Sequence, residues 1–456
     1  MLQRCLHLLF FSACILPSFA QRMTAVENYA INRPGVVMVK TVFSANVYVN
    51  KMKMDNKRFD QLLDSIQGLD INGAVFTAEQ KLDIVLKEMN NNPNRFFKAT
   101  LDYIKQEQEI TSTGTGFFIT ADGYVATNCH LIDLGNAFIR RQFILTSFQQ
   151  ITEDNIKALE GSWATRFTEQ QRGLLYTTYA SVYSRLFSMV LNDLKKEVFV
   201  VFRSDRENME PFSQKKQARI VIKGTPMPGK DIAVLKIDGD SCLPVLKIAD
   251  EQLPEVGEQL FVFGYPGPAT NNDFVSVESA IEPTLTTGIV SAIKKSVEGW
   301  PVIQMDASIN HGSSGGPVCN EKGEVIGLTT FGSTVNTGGL AAGLNFAIPV
   351  TILNEYLDTA NIIPQMGQAA QSYTEAIDLF DREYYHKALK KFRVVKRLNK
   401  YYPGLESYMS RCEKNILTGR DKEAVFFRYD LLGFSLLLVL VVLLYAFLKR
   451  RKQRLR

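Results

Sequence analysis

Histidine and cysteine are scarce in this sequence, and that scarcity limits the chemistry it can perform. The 456 residues include 4 histidines, 6 cysteines and 2 tryptophans. The cysteine spacing matches no metal-binding motif, so no metal or organic cofactor is implied. The formal net charge is +5, but no basic stripe interleaved with aromatic residues accompanies it, so nucleic-acid binding has no support. The hydrophobic fraction of 46% is typical of a globular protein with a large core.

Two apolar runs lie near the ends of the chain and predict its topology. Residues 1–20 carry Arg4, an apolar stretch and a small-x-small site before Gln21, which predicts a signal peptide. Residues 431–448 are uncharged and apolar and precede four consecutive basic residues. They predict one transmembrane helix at 429–448 and a cytoplasmic basic tail at 449–456. We therefore expect a single-pass protein of the cell membrane, with everything between the two runs on the periplasmic or extracellular side.

A serine surrounded by glycines is the strongest chemical signal. Residues 306–318 read D-A-S-I-N-H-G-S-S-G-G-P-V, with Ser314 at the centre. Glycines let the backbone turn tightly without a Cβ that would block a substrate. A serine nucleophile also needs backbone N–H groups aimed at the oxyanion that forms when it attacks a carbonyl. The pattern predicts a nucleophile loop whose oxyanion hole is formed by the N–H groups of Gly312 and Ser314.

Two further stretches supply the other groups that such a serine needs. In T-G-T-G-F-F-I-T-A-D-G-Y-V-A-T-N-C-H, a hairpin signal joins two short apolar strands, and the second strand leads to His130. In G-K-D-I-A-V-L-K-I-D, a turn precedes an apolar strand and places Asp231 at its start. We expect His130 to act as general base, Asp231 to orient it and Ser314 to be the nucleophile.

The segments T-N-C-H, D-I-A-V-L-K-I and G-S-S-G-G-P resemble the trypsin-like serine proteases of the HtrA (DegP-like) type, as do T-T-G-I-V-S-A-I and G-L-N-F-A-I-P further on. The resemblance implies a mainly β fold, a chymotrypsin-like double β-barrel over residues 21–362 with the active site between the barrels. It also implies a serine endopeptidase that acts on polypeptides, with a role in protein quality control or regulated proteolysis. A catalytically silent binding or chaperone module on the same scaffold is the alternative.

The resemblance also suggests how substrate would bind, and it has limits. It implies that Leu344, Asn345 and Phe346 form a strand that pairs with the substrate backbone. The neighbouring residues carry no charge, which favours a small or medium apolar residue before the scissile bond. His311 and Ser313 replace the usual proline and asparagine, and the PDZ module of the family is missing. His311 is a rival base, but a residue of the same tight loop cannot easily reach Ser314.

Two stretches of helical character interrupt the first barrel and are predicted to be insertions, at about 50–108 and 154–197. The second carries apolar residues at helical spacing. These residues are Leu174, Leu175, Tyr179, Val182, Leu186, Met189 and Val190. The insertions either pack on the outside of the barrel as decorations or act as a lid that selects substrates.

Residues 363–428 predict a small α-helical segment after the protease domain. Its apolar spacing resembles a tetratricopeptide repeat, and a plain helical stalk is the equal alternative. A single repeat cannot bury its own apolar face, so the segment must pack on the protease, a partner protein or a second copy. Four cysteines remain after the signal peptide, namely Cys129, Cys242, Cys319 and Cys412. They are predicted either to form disulfides or to be free buried thiols.

Overall fold

The computed structural model describes residues 22–71, 76–186, 189–205, 213–250, 252–267, 279, 281–334, 340–422 and 435–443. Two compact units account for the chain. The first unit contains Met1–Lys40, Thr113–Asp133 and Val198–Arg456, and the second contains Thr41–Ser112 and Leu134–Glu197. The predicted signal peptide lies outside the described residues. No helix in the described part of the chain is long and apolar enough to cross a membrane.

Two closed barrels of six strands each form the β structure, as the predicted double β-barrel requires. The first barrel has the strand order β1-β2-β3-β6-β5-β4. Its strands are β1 (Val36–Met54), β2 (Phe97–Phe118), β3 (Tyr124–Thr127), β4 (Met189–Arg203), β5 (Ser213–Lys223) and β6 (Ala233–Ile237). Strands β1, β2 and β4 contribute residues to both compact units. The pairing of β3 with β6 places Thr127 opposite Ala233, so the loops that follow β3 and precede β6 lie side by side.

The second barrel lies wholly in the first unit and has the order β10-β11-β12-β9-β8-β7. Its strands are β7 (Gln259–Gly264), β8 (Thr284–Lys295), β9 (Pro301–Met305), β10 (Pro317–Cys319), β11 (Val325–Thr334) and β12 (Leu340–Pro349). One buried apolar cluster draws side chains from both barrels, among them Phe117, Val234, Phe263 and Leu328. This shared core fixes the position of one barrel relative to the other, because close-packed interiors resist sliding.

The first unit begins with a short helix, α1 (Ala25–Asn32), and the second unit is largely helical. The helices of the second unit are α2 (Asn56–Ile71), α3 (Ala78–Asn91), α4 (Pro93–Phe96), α5 (Asn136–Ser162) and α6 (Glu169–Leu186). Both predicted insertions therefore belong to a single body. Residues of both stretches enter one apolar cluster, for example Leu86 and Phe97 from the first and Ile156 and Tyr179 from the second.

The boundaries of these insertions differ from the prediction. The second helical stretch begins at Asn136, well before residue 154. Residues 97–108 lie in strand β2, and Met189 and Val190 lie in strand β4. The residues of β2 include many glutamine, glutamate and lysine residues, which favour helices when considered alone. Pairing with neighbouring strands overrides that preference, because strand formation depends mainly on context.

Between residues 350 and 417, four helices follow the second barrel in the first unit. They are α7 (Val350–Thr359), α8 (Gln368–Asp381), α9 (Tyr385–Leu398) and α10 (Leu405–Leu417). Helices α8 to α10 share an apolar cluster with Ala30 of α1, so this segment packs on the first described helix of the same unit. The Gly404 N–H donates to Asp205 Oδ2 (2.8 Å), and Asn399 Nδ2 donates to the Cys242 carbonyl (3.2 Å). Both descriptions of the segment, a repeat or a stalk, stay predictions.

The shared core of the second unit yields a stability prediction. Phe97 is 1% exposed and packs 5.6 Å from the ring of Tyr179, whereas Leu101 of the same strand is 93% exposed. We expect Phe97→Ala to destabilise the second unit by about 3–5 kcal/mol, as large-to-small core substitutions do. Leu101→Ala should change its stability by less than about 0.5 kcal/mol.

Urea unfolding can measure this unit alone, since its one tryptophan, Trp163, packs against Phe59 at 5.2 Å. In a Trp300→Phe background, tryptophan fluorescence reports Trp163 only. Equal midpoints for the two alanine variants would contradict a core shared by the two insertions.

Candidate active site

His130 and Asp231 meet because β3 and β6 are paired neighbours. His130 lies in a single 3₁₀ turn, Cys129–Leu131, just after β3, and Asp231 lies two residues before β6. The Asp231 carboxylate is fully buried. Its Oδ1 accepts the backbone N–H of His130 (2.8 Å), and its Oδ2 lies 2.6 Å from His130 Nδ1. A carboxylate at Nδ1 favours the tautomer that is protonated there and leaves Nε2 free to accept a proton.

Thr330 connects this pair to the second barrel. Its hydroxyl donates to Asp231 Oδ2 (3.0 Å), and its carbonyl accepts the Ser314 hydroxyl (3.0 Å). The carboxylate thus accepts three hydrogen bonds, which a buried charge requires for its stability. The side chain of His130 is 34% exposed while that of Asp231 is 0% exposed, so solvent and ligands reach only the imidazole. Ser314 donates to Thr330, and among the described residues no hydrogen bond joins it to His130.

The nucleophile loop needs its glycines for steric reasons. Gly312 has φ +97° and Gly315 has φ +81°, a region that other residues rarely adopt. A Cβ on Gly312 would approach the Tyr265 carbonyl to 2.3 Å, and one on Gly315 would approach the Thr115 carbonyl to 2.2 Å. The loop therefore fits closely against the first barrel and β7, and only glycine can occupy these two positions.

Two peptide groups of this loop point their N–H groups away from the protein core. The His311 carbonyl accepts the Gly267 N–H (2.7 Å), and the Ser313 carbonyl accepts the Gly316 N–H (3.0 Å) and the Thr329 hydroxyl (2.5 Å). In a trans peptide the N–H points opposite to the C=O. The N–H groups of Gly312 and Ser314 are therefore directed outward, and within the described part of the chain neither has a hydrogen-bond acceptor.

The strand predicted to bind substrate has no free edge. Asn345 pairs with Gly332 of β11 on one side and with Met305 of β9 on the other, and Phe346 is paired on both sides as well. The Asn345 carboxamide is buried and donates to the Ala307 carbonyl (2.7 Å). The assignment of Asn345 and Phe346 to substrate pairing is thus corrected, because a residue whose strand is paired on both edges cannot accept a third strand. The assignment of Leu344 stays a prediction.

The side chains considered as an alternative base or nucleophile do not belong to the hydrogen-bond network of His130, Asp231 and Thr330. His311 is exposed, and Cys129 and Cys319 are buried. Burial raises the pKa of the Cys319 thiol, which disfavours the reactive thiolate. None of the four described cysteines forms a disulfide, so the thiol alternative holds and the disulfide alternative does not.

Comparison with known proteins shows which family of proteins this chain resembles. A family model described as a trypsin-like peptidase domain matches residues 114–328. A probable periplasmic serine endoprotease, DegP-like, from Pseudomonas putida is 27% identical over 271 residues, which are 59% of this chain and 38% of that protein. A protein of the same description from Halomonas elongata is 36% identical over 131 residues, 28% of this chain and 24% of its own length. The matches thus span less than half the length of these relatives.

The predicted resemblance to HtrA-type, DegP-like trypsin-like proteases is confirmed. Among solved structures, a serine endoprotease from Yersinia pestis aligns with a TM-score of 0.34 at 18% identity, covering 74% of this chain and 66% of that one.

The sequence did not predict three threonines of the site, namely Thr115, Thr329 and Thr330. Thr329 and Thr330 sit in β11, and Thr115 sits in β2. Threonine is common in strands, so its presence there carries no functional signal. Only the pairing of distant segments shows that the hydroxyls of Thr115 and Thr329 contact the nucleophile loop and that the hydroxyl of Thr330 contacts Asp231.

The free thiols give a prediction that requires no assumption about catalysis. Cys242 is half-buried and the other three are buried. We expect a reducing agent to leave the melting temperature unchanged, because no described cysteine forms a disulfide. Iodoacetamide followed by mass spectrometry should modify Cys242 first, and Cys129, Cys319 and Cys412 only after unfolding. A melting temperature that falls on reduction would refute this description.

Proposed function

We propose that this chain is a serine endopeptidase in which His130, Asp231 and Ser314 form the catalytic triad. The observation that carries the proposal is the double contact of the buried Asp231 carboxylate with His130, continued through Thr330 to Ser314. This arrangement fixes the orientation of the imidazole and places the serine at the same carboxylate network. Its three parts match the roles that the sequence motifs predict.

The reaction follows from these positions. Ser314 Oγ attacks the carbonyl carbon of the scissile bond while His130 Nε2 takes the hydroxyl proton. The N–H groups of Gly312 and Ser314 donate to the oxyanion of the tetrahedral intermediate. The bond to the amine then breaks, and His130 returns its proton to the leaving amine. Water attacks the acyl ester with His130 again as base, which releases the acid and restores Ser314.

We assign polypeptide binding to the edge of β11 beyond Leu328. The pairing of β10 with β11 ends at Leu328, and β12 occupies the opposite side of β11. Within the described residues, the backbone from Phe331 to Thr334 therefore has one edge without a strand partner. An extended peptide can add to such an edge through main-chain hydrogen bonds, which require little of its sequence. Thr330 begins this edge beside Ser314, so a bound peptide would pass close to the nucleophile.

A silent binding module is the second candidate, and one observation favours it. The Ser314 hydroxyl donates to the Thr330 carbonyl rather than to His130. If that arrangement persisted with substrate bound, no base would receive the serine proton. Active sites without substrate often have misaligned catalytic hydrogen bonds, so we favour the peptidase.

Ser314→Ala should abolish both peptide cleavage and labelling by a fluorophosphonate, because the probe requires an activated serine. Asp231→Asn should lower kcat by about 10⁴-fold, since it disturbs the tautomer and orientation of His130. His311→Ala is the matched control and should retain activity, because this histidine is exposed and outside the network.

The labelling separates the two candidates cleanly. A wild-type protein that binds unfolded polypeptide but takes up no fluorophosphonate would support the silent module. A His311→Ala variant as inactive as His130→Ala would reassign the base.

We further propose that residues 429–448 anchor the protein in a membrane, with the peptidase on the extracytoplasmic side. Residues 435–443 are helical, and their leucines and valines are 56–63% exposed. Such a continuous exposed apolar surface is stable in lipid rather than in water. The basic tail that follows favours a cytoplasmic C-terminus.

Protease shaving of spheroplasts tests this topology. The peptidase domain should be digested while a tag after Arg456 survives, and the opposite pattern would overturn the proposal. A truncated protein ending at Lys422 should be soluble and active. It keeps Asp421, whose Oδ1 accepts the Tyr385 N–H (3.1 Å) at the start of α9.

A further inference from the structure

One residue of the first barrel holds both sides of the nucleophile loop. The Thr115 hydroxyl donates to the Gly312 carbonyl (2.7 Å) and accepts the Tyr265 N–H (3.0 Å). The Thr115 N–H donates to the Ser314 carbonyl (2.8 Å). Its own carbonyl accepts the Thr127 hydroxyl (2.7 Å). Thr115 is fully buried, so water cannot replace these bonds.

These bonds act on the two residues whose N–H groups face outward. Gly312 has no Cβ to restrict it and adopts positive φ, so its backbone is the freest of the loop. The peptide before Gly312 is held by the bond from the Gly267 N–H to the His311 carbonyl. The peptide after it is held at its carbonyl by the Thr115 hydroxyl and at its N–H by the bond from Ser313 to the Asn310 carbonyl (2.9 Å). With both peptide planes held, the direction of the Gly312 N–H is set before any substrate arrives.

The Thr115 hydroxyl makes two hydrogen bonds that a methyl group in its place could not make. The Gly312 carbonyl and the Tyr265 N–H would both lose a partner if Thr115 were apolar, and buried backbone groups without partners are strongly disfavoured. The peptide between Gly312 and Ser313 would then be held only at its N–H, and its carbonyl would rotate toward another donor, which changes the backbone angles of Gly312. Such a rotation turns the Gly312 N–H away from the position of the oxyanion. The backbone bond from Thr115 to Ser314 would remain in place.

We propose that Thr115 is a positioning residue whose hydroxyl keeps the oxyanion hole preformed. The inference rests on the proposed peptidase function and adds a residue to it that contacts neither substrate nor base. Its effect is on the transition state, since the oxyanion exists only there and in the tetrahedral intermediates. Substrate binding along the strand edge does not depend on it.

The test compares three purified full-length variants with the wild type on a chromogenic peptide. Thr115→Val keeps the shape and removes the hydroxyl, and it should lower kcat about 10- to 100-fold with KM changed by less than about threefold. Thr115→Ser restores the hydroxyl and should stay within about threefold of wild-type kcat. Thr120→Val is the matched control: this buried threonine donates to Asp122 Oδ1 (2.5 Å), away from the nucleophile loop, and should not alter kcat.

A peptide boronate inhibitor gives a second readout that a merely structural role would not change in the same way. Its tetrahedral adduct places an oxygen in the oxyanion hole, so its inhibition constant should rise with Thr115→Val by about the factor lost from kcat. The pH dependence of kcat/KM should keep its wild-type midpoint, because His130 and Asp231 are untouched. If Thr115→Val does not fold, Thr115→Ala carries the same test with a smaller side chain.

The outcomes separate this inference from the proposed function. A wild type that neither cleaves peptide nor takes up fluorophosphonate refutes the function, and the inference with it. An active wild type with unchanged kcat in Thr115→Val refutes the inference alone. Equal losses in Thr115→Val and Thr115→Ser, or a change confined to KM, would also overturn it.

Discussion

The buried carboxylate of Asp231 is the constraint on which the site depends. A charged group without solvent is tolerated only when hydrogen bonds replace its hydration. Here the replacements come from the N–H and imidazole of His130 and from the hydroxyl of Thr330. Because His130 follows β3 and Thr330 belongs to β11, satisfying one carboxylate requires both barrels to be folded and in register. Stability and the geometry of the site therefore share a cause.

The parts of the site that the sequence could predict are those that depend on neighbouring residues in the chain. His130, Asp231 and Ser314 each stand in a short local pattern of strand, turn and glycine, and such patterns are decided by neighbouring residues. The positive φ of Gly312 and Gly315 follows directly from the glycine-rich loop. The double barrel was predicted from the resemblance of these segments to the HtrA-type proteases, and the short apolar strands with turn signals between them agree with it.

The rest could not be predicted, because it depends on contacts between distant segments. The Thr115 hydroxyl meets a carbonyl 197 positions away in the chain, and no local pattern distinguishes it from an ordinary strand threonine. The common core of the two insertions has the same character: Phe97 and Tyr179 belong to separate stretches and meet only in the folded unit. The prediction that Asn345 and Phe346 pair with substrate was wrong because the sequence does not show strand register. Only the pairing of these residues with both β11 and β9 removes them as candidates.

The hydrogen bond from Ser314 to Thr330 remains to be reconciled with catalysis, and its energetics favour a resting state rather than a blocked one. In the proposed mechanism, the Ser314 hydroxyl turns from the Thr330 carbonyl to His130 Nε2 and exchanges one hydrogen bond for another. A typical bond of this kind contributes about 1 kcal/mol net, so the exchange changes the free energy little. The Thr330 carbonyl, left by the serine, lies at the start of the free β11 edge, where a peptide N–H can donate to it. In this proposed mechanism, a peptide N–H that binds the Thr330 carbonyl displaces the Ser314 hydroxyl, which then turns toward His130. Peptide binding and activation of the serine are therefore coupled, because both depend on the same carbonyl oxygen.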